Sequence, residues 1–139
     1  MSRKIYNKLV RNKTIDIIKD DGRTATYIEL DATKEDQCKV IINLLKEKLI
    51  EEATEVLESK NKGDMLEEIG DLLDVVDEIL SLSVESYQGI DGIKKDLQVI
   101  REAKNIKRGE FLKKERSQGC YEHKYIKLLA VDDGQETKD

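Results

Sequence analysis

The sequence predicts an all-α fold: an antiparallel bundle of about four helices with a small peripheral β element from the N- and C-terminal segments. Apolar residues, mostly Leu, Ile and Val, recur with helical period through most of the chain. Turn segments containing Gly, Asn or Asp separate these helical segments, and one segment near the N-terminus is instead rich in β-branched residues.

The N-terminal part of the chain is predicted to form one short helix and one strand. Asn12 can cap a helix over Lys13–Lys19, which Asp20-Asp21-Gly22 ends. Thr24–Leu30 contains the β-branched residues, and we therefore expect a strand there.

Two long helices are predicted to follow. Thr33 and Asp36 resemble an N-terminal capping arrangement, which opens a helix that runs to about Lys60. A tight turn over residues 61–64 leads to a third helix that ends near Tyr87. Because about three residues join the two helices, they must run antiparallel and pack face to face.

The C-terminal part is predicted to hold a fourth helix and a closing strand. Asp91 caps the helix, which continues to about Arg108, and Tyr121–Val131 has the pattern of a strand. The length of 139 residues suits a single domain, which we place at residues 1–131, followed by a polar tail at 132–139.

The composition predicts a thin core. Hydrophobic residues make up 38 % of the chain and charged residues 40 %, with one Phe and no Trp. A thin helical core is often completed by a second subunit, so we expect a homodimer or a higher homo-oligomer. Since the chain has no apolar run of about 18 residues and no signal-peptide core at its start, we expect a cytoplasmic protein that does not bind membranes.

The charges are strongly segregated along the chain. Glu51–Glu85 contains twelve acidic residues and two basic ones, whereas residues 1–13 carry five basic residues and no acid, and residues 94–116 carry nine basic and four acidic residues. An acidic middle between basic flanks suits a cation site beside a polyphosphate site. It does not suit a nucleic-acid-binding protein, which would present one wholly basic face.

Four carboxylates occupy positions where core residues are expected. On a helical wheel Glu52 lies in the middle of the apolar stripe that contains Leu45, and Glu55 lies at its margin. On the next helix Glu68 falls inside the apolar arc and Asp71 at its edge. A charge centred on a core stripe is unfavourable unless it is paired or bound to a metal.

Antiparallel packing can bring these four side chains, spaced i, i+3 on each helix, to a single point. Four oxygen ligands would select a hard cation such as Mg²⁺ or Mn²⁺. The alternative is that the glutamates pair with lysines and have no metal-binding role.

Two acidic motifs carry a family resemblance. Glu51–Glu55 (EEATE), then twelve residues, then Glu68–Asp71 (EIGD) resembles the EExxE…ExxD signature of the MazG-like nucleotide pyrophosphohydrolase superfamily. The opening Tyr6–Lys13 is similar to the YNKLVRDKIPEII opening of its single-domain phosphoribosyl-ATP pyrophosphohydrolase-like branch, and differs from that opening at Asn12 and in the following residues Thr14-Ile15. Together the similar segments cover residues 5–112.

The resemblance implies an enzyme that hydrolyses a nucleoside triphosphate, or a relative such as phosphoribosyl-ATP, to a monophosphate and pyrophosphate. In the mechanism we expect, Mg²⁺ lowers the pKa of the attacking water and Glu51 orients or deprotonates that water. The metal ligands would be the four core-facing carboxylates Glu52, Glu55, Glu68 and Asp71. The base and sugar of the substrate remain open.

Two basic clusters are candidates for binding the phosphates. Lys104 and Arg108 continue the inner face of the fourth helix, and the resemblance implies a phosphate role for them; the alternative is that both stabilise the helix end through its dipole. Arg11 and Lys13 belong to the opening that resembles the branch, which implies phosphate or base contacts; the alternative is a solvated terminus.

Two other classes of function remain as rivals. The first is a non-catalytic regulatory module that binds a nucleotide or a metal on the same scaffold. The second is a purely structural helical interaction protein, which the four inward-facing carboxylates disfavour.

Overall fold

The computed structural model describes residues 3–84, 89–113, 116–117, 120–121 and 124–132. Over these residues the chain is helical with very little strand, which confirms the all-α prediction. The helices are α1 (Thr14–Asp20), α2 (Glu35–Glu58), α3 (Lys62–Leu82) and α4 (Gly89–Arg108). The strands, each of two residues, are β1 (Leu112–Lys113), β2 (Arg116–Ser117), β3 (Cys120–Tyr121) and β4 (Lys124–Tyr125).

Across the part of the chain that the structure describes, the small β element comes from the C-terminal segment alone. β1 pairs with β4 and β2 pairs with β3, both antiparallel. The predicted strand at Thr24–Leu30 is wrong, because this segment has no regular secondary structure. Its β-branched residues find no packing surface: Ile28 is 82 % exposed, and β-branched residues favour strands only where the side chains pack on a sheet.

The predicted closing strand is much shorter than Tyr121–Val131. Within the described residues, strand structure stops at Tyr125, and residues 126–131 are exposed and irregular. The third helix ends at Leu82, earlier than the predicted end near Tyr87, and Tyr87 itself lies outside the described residues. The tail beyond residue 132 also lies outside them.

The α2–α3 hairpin is the framework of the candidate site. Three residues, 59–61, join the helices, so the predicted turn at residues 61–64 is wrong, because residues 62–64 already belong to α3. The two helices pack against each other as predicted. Asn61 caps the start of α3, since its side-chain oxygen accepts a hydrogen bond from the backbone N–H of Asp64 at 2.9 Å. Such a cap satisfies one of the free N–H groups at a helix start.

The three capping predictions are wrong. The residue at the N-cap of α1 is Lys13 instead of Asn12, and at the N-cap of α2 it is Lys34; neither makes a side-chain capping bond. Thr33 is engaged elsewhere, because its hydroxyl and backbone N–H both donate to Asp31. Asp91 lies inside the first turn of α4 instead of before it. Short polar side chains satisfy competing local turns as readily as helix ends.

The core of the hairpin is thin. Leu45 on α2 and Val75 on α3 are the buried apolar side chains of the described residues, and Glu52 lies buried beside this core. Large apolar side chains such as Leu57 and Leu73 remain exposed on the same two helices.

The backbone contacts divide the chain into two compact units. The first, Met1–Ile93, holds α1, α2, α3 and the start of α4; the second, Lys94–Asp139, holds the rest of α4 and the strands. Among the described helices, none has the length and apolar character needed to span a bilayer.

Candidate metal centre

Three carboxylates of the first unit converge between α2 and α3. Glu52 and Glu55 come from successive turns of α2 and Glu68 from α3, and one oxygen of each lies within 4.8 Å of the others. The i, i+3 spacing places the two α2 side chains on one face of that helix. The helical wheel predicted the inward placement of all three, and we call this group the three-carboxylate centre.

Two oxygens of this centre are buried without a hydrogen-bond partner. They are Glu52 Oε2 and Glu68 Oε2, and the Glu52 residue is only 6 % exposed. Lys48 Nζ lies 3.6 Å from the other Glu52 oxygen, which is an ion pair but too long for a strong hydrogen bond. A buried acceptor without a partner costs about 1–3 kcal/mol, so such atoms in a folded protein need an explanation.

Burial and mutual repulsion change the acidity of the centre. Burial is the largest cause of a raised pKa at Glu52, and the adjacent carboxylate of Glu55 adds to it. The pKa of Glu55 is also raised, chiefly by its interaction with the carboxyl of Glu68. The centre therefore resists carrying its full negative charge unless a cation compensates it.

The donor set fits a hard divalent cation. All three groups offer carboxylate oxygen, which Mg²⁺, Mn²⁺ and Ca²⁺ prefer. Ligands on opposite sides of Mg²⁺ lie about 4.2 Å apart, and about 4.6–5.2 Å apart around Ca²⁺. The three oxygens all lie within 4.8 Å of one another, an upper limit comparable to these spans.

Asp71, predicted as the fourth ligand, contacts Arg11. Arg11 Nη2 donates to Asp71 Oδ1 at 2.9 Å and to Asp74 Oδ2 at 3.0 Å. The hydrogen bond to Asp74 is the main cause of a raised pKa at Arg11. Asp71 is not a member of the three-carboxylate centre, and its role as a ligand stays a prediction.

Glu51 lies between two lysines. It accepts hydrogen bonds from Lys8 Nζ at 3.2 Å and from Lys48 Nζ at 3.5 Å. Partial burial by itself would raise its pKa, but the hydrogen bond from Lys8 and the charge of Lys48 together lower it. A lowered pKa makes Glu51 a weak base at neutral pH, which favours the orienting role over proton abstraction.

The remaining predicted phosphate ligands are exposed. Lys13 lies at the N-cap of α1, and its side chain is open to solvent. Lys104 and Arg108 lie on the last two turns of α4, in the second unit, and are exposed as well. Their contacts with phosphate stay predictions.

Three partners of the site were not among the predicted site residues. Lys48 could have been found, because it lies four residues before Glu52 and three before Glu51 on one helix face. Asp74 lies one turn beyond Asp71, which is a similar local signal. No local signal connects Lys8 with Glu51, because 43 residues separate them.

An open pocket adjoins the centre at the turn end of the hairpin. Its volume is about 280 Å³, and it shares Glu55 and Glu68 with the centre. The basic side chains Lys8, Lys48 and Arg11 instead bind carboxylates on the two helices further from the turn. The pocket is lined by Glu55, Glu58, Ser59, Lys60, Asp64 and Glu68.

Comparison of the chain with models of protein families, with curated proteins and with solved structures finds no match. Function therefore has to be inferred from the side chains of the site and from the sequence motifs that supply them.

Proposed function

We propose that this chain is a Mg²⁺-dependent nucleotide pyrophosphohydrolase, which cleaves a nucleoside triphosphate or a related nucleotide to a monophosphate and pyrophosphate. One observation carries the proposal: two carboxylate oxygens, Glu52 Oε2 and Glu68 Oε2, are buried without a partner where two helices meet. Glu55 adds a third carboxylate within 4.8 Å.

A purely structural role for these carboxylates fits the charges poorly. Among the described residues, Lys48 is the lysine that pairs with Glu52, and it also pairs with Glu51. One such cation does not balance the three-carboxylate centre, and a structural network would satisfy both orphaned oxygens. A bound divalent cation would supply the missing charge and the missing contacts together.

The nucleotide part of the proposal rests on the motifs and on the basic side chains near the centre. The EExxE and ExxD motifs that resemble those of MazG-like enzymes contribute Glu52, Glu55 and Glu68. Lys8 and Arg11, on the segment before α1, lie beside the acidic face of the hairpin. Polyphosphate bound at this face would meet cations as well as the carboxylate-held metal.

We propose a separate role in the reaction for each group of side chains. A divalent cation at the centre would polarise a phosphoryl oxygen and lower the pKa of a bound water. Glu51, held ionised between two lysines, would accept a hydrogen bond from the attacking water and orient it. Arg11, Lys13, Lys104 and Arg108 are the side chains we propose for the negative charge of the phosphates.

A product assay tests the proposal. Purified protein is screened with a nucleotide panel and Mg²⁺ or Mn²⁺, and the nucleotide product, phosphate and pyrophosphate are measured separately. We expect monophosphate and pyrophosphate as the first products, with activity lost in Glu52→Gln and kept in Glu47→Gln. Glu47 is a matched control because it is an exposed glutamate of the same helix.

Two outcomes would contradict the proposal. Diphosphate and free phosphate as first products would exclude attack at the phosphorus nearest the sugar. Nucleotide binding without any product would favour the non-catalytic regulatory module.

A further inference from the structure

Arg11 bridges two carboxylates beside the three-carboxylate centre. A single nitrogen, Nη2, donates to Asp71 at 2.9 Å and to Asp74 at 3.0 Å. Asp71 follows Glu68 by three residues on α3, so the two side chains lie on one face of that helix. Asp71 is also close enough to Glu52 for its charge to act on that residue.

The guanidinium of Arg11 donates a hydrogen bond to an Asp71 oxygen that could otherwise bind a metal at the centre. Arginine does not lose its proton in proteins, so it competes with a cation for Asp71 whenever that carboxylate is ionised. The ion pair is open to solvent, with side-chain exposures of 62 % for Arg11 and 43 % for Asp71. Exposed pairs of this kind are weak and exchange partners readily.

A phosphate group is a suitable replacement partner for Arg11. The planar guanidinium binds phosphate oxygens in the same two-pronged geometry that it uses for carboxylates. Arg11 lies on the segment before α1 and not on the hairpin, so its side chain can move without changing the packing of α2 against α3.

We propose that Arg11 is a positioning residue that holds Asp71 away from the metal until the polyphosphate of the substrate takes the guanidinium and frees Asp71 as a further metal ligand. This inference rests on the proposed function. It predicts opposite effects of Arg11 on the binding of metal alone and on the binding of metal with nucleotide.

In the first experiment the full chain is titrated with Mn²⁺ alone, and the concentration of free Mn²⁺ is measured by electron paramagnetic resonance. We expect Arg11→Ala to bind Mn²⁺ about two- to five-fold more tightly than wild type, the range that an exposed ion pair allows. Arg23→Ala is the matched control, since Arg23 makes a similar exposed pair with Asp21 at 2.9 Å, and its affinity should not change. Unchanged or weaker Mn²⁺ binding by Arg11→Ala would overturn the inference.

The same titration in an Asp71→Asn background separates release of Asp71 from simple loss of a positive charge. If Arg11 acts through Asp71, Arg11→Ala should not tighten Mn²⁺ binding in that background. Equal tightening in both backgrounds would show that Arg11 acts only as a charge, and would overturn the inference. Thermal melts of all variants check that the fold is retained.

The second experiment adds a non-hydrolysable triphosphate analogue with Mn²⁺. Here Arg11→Ala should weaken binding about ten-fold or more, because charge-assisted hydrogen bonds to phosphate are lost. If Arg11→Ala binds the analogue as tightly as wild type does, the proposed exchange of Arg11 from Asp71 to phosphate is overturned.

Glu52→Gln distinguishes failure of this inference from failure of the proposed function. The substitution should greatly weaken Mn²⁺ binding whether or not Arg11 controls Asp71. If Glu52→Gln binds Mn²⁺ like wild type, the assignment of the metal centre is wrong, and the proposed function fails with it. If Glu52→Gln binds Mn²⁺ weakly but Arg11→Ala binds it like wild type, only the proposed exchange of Arg11 from Asp71 to phosphate is wrong.

Discussion

Replacing Glu52 by glutamine should stabilise the metal-free protein and abolish its stabilisation by metal. In the metal-free chain the Glu52 carboxylate is buried, lacks a partner for one oxygen, and faces two other carboxylates. Glutamine keeps the shape, removes one negative charge and offers an N–H group that Glu55 or Glu68 can accept. The substitution also removes the ion pair with Lys48, but at 3.6 Å this pair is too long for a strong hydrogen bond, so its loss should cost less than the substitution gains.

The magnitude follows from the unpartnered oxygen. Such an atom typically costs about 1–3 kcal/mol, so in chelator we expect the free energy of unfolding of Glu52→Gln to exceed that of wild type by about 1–2 kcal/mol. For a domain of this size that difference is about 4 °C in Tm for each kcal/mol. Mg²⁺ at about 100 times its Kd should add about 2.7 kcal/mol to wild type and little to the variant, which reverses the order of stability.

The stability difference between Glu52→Gln and wild type should also depend on pH. The pKa of Glu52 is raised in the folded protein, so protonated Glu52 contributes favourably to the free energy of unfolding. This contribution is complete below the ordinary glutamate pKa, about 4.3, and is lost as the pH rises through the raised pKa. The advantage of Glu52→Gln in chelator should therefore be large near neutral pH and small near pH 4.

Urea unfolding followed by circular dichroism measures these differences, with Glu47→Gln as the exposed control on the same helix. Two results would refute the reasoning. In chelator, a variant less stable than wild type by about 1 kcal/mol or more would mean that Glu52 is held by Lys48 as a structural ion pair. Wild-type curves that superimpose with chelator and with millimolar Mg²⁺ would mean that no metal binds the folded chain.

Three further predictions concern other residues. Combined Lys104→Ala and Arg108→Ala should slow pyrophosphate release by about 100-fold without changing the products, and a near wild-type rate would leave these residues as helix-end cations. Glu51→Gln should destabilise the protein at neutral pH and lose this effect as the pH falls, because the pKa of Glu51 is lowered by Lys8 and Lys48; urea unfolding with the opposite trend would contradict it. Ile50 and Leu57, 69 % and 84 % exposed and seven residues apart on α2, should contact a second subunit if the predicted homodimer forms. Light scattering should then give a dimer for wild type and a monomer for Ile50→Lys with Leu57→Lys, and a wild-type monomer at every concentration would rule the homodimer out.

The repeat of apolar residues was sufficient to predict the helical hairpin and the inward-facing carboxylates. α2 and α3 form, a three-residue link joins them, and Glu52 is buried at the position that the wheel assigned to it. Helical period is a local property, set by hydrogen bonds four residues apart, so the face on which a side chain lies can be worked out from its position in the sequence. The link is short enough to leave only antiparallel packing, which brings Glu68 to the same point.

Contacts between distant segments were decided by the tertiary structure alone. The ion pair between Arg11 and Asp71 spans 60 residues, and the one between Lys8 and Glu51 spans 43. Such pairs depend on where an irregular segment lies against the hairpin, and no periodic pattern in the sequence encodes that position. The segment Thr24–Leu30 illustrates the same limit, because its β-branched residues would form a strand only if a sheet were there to pair with them.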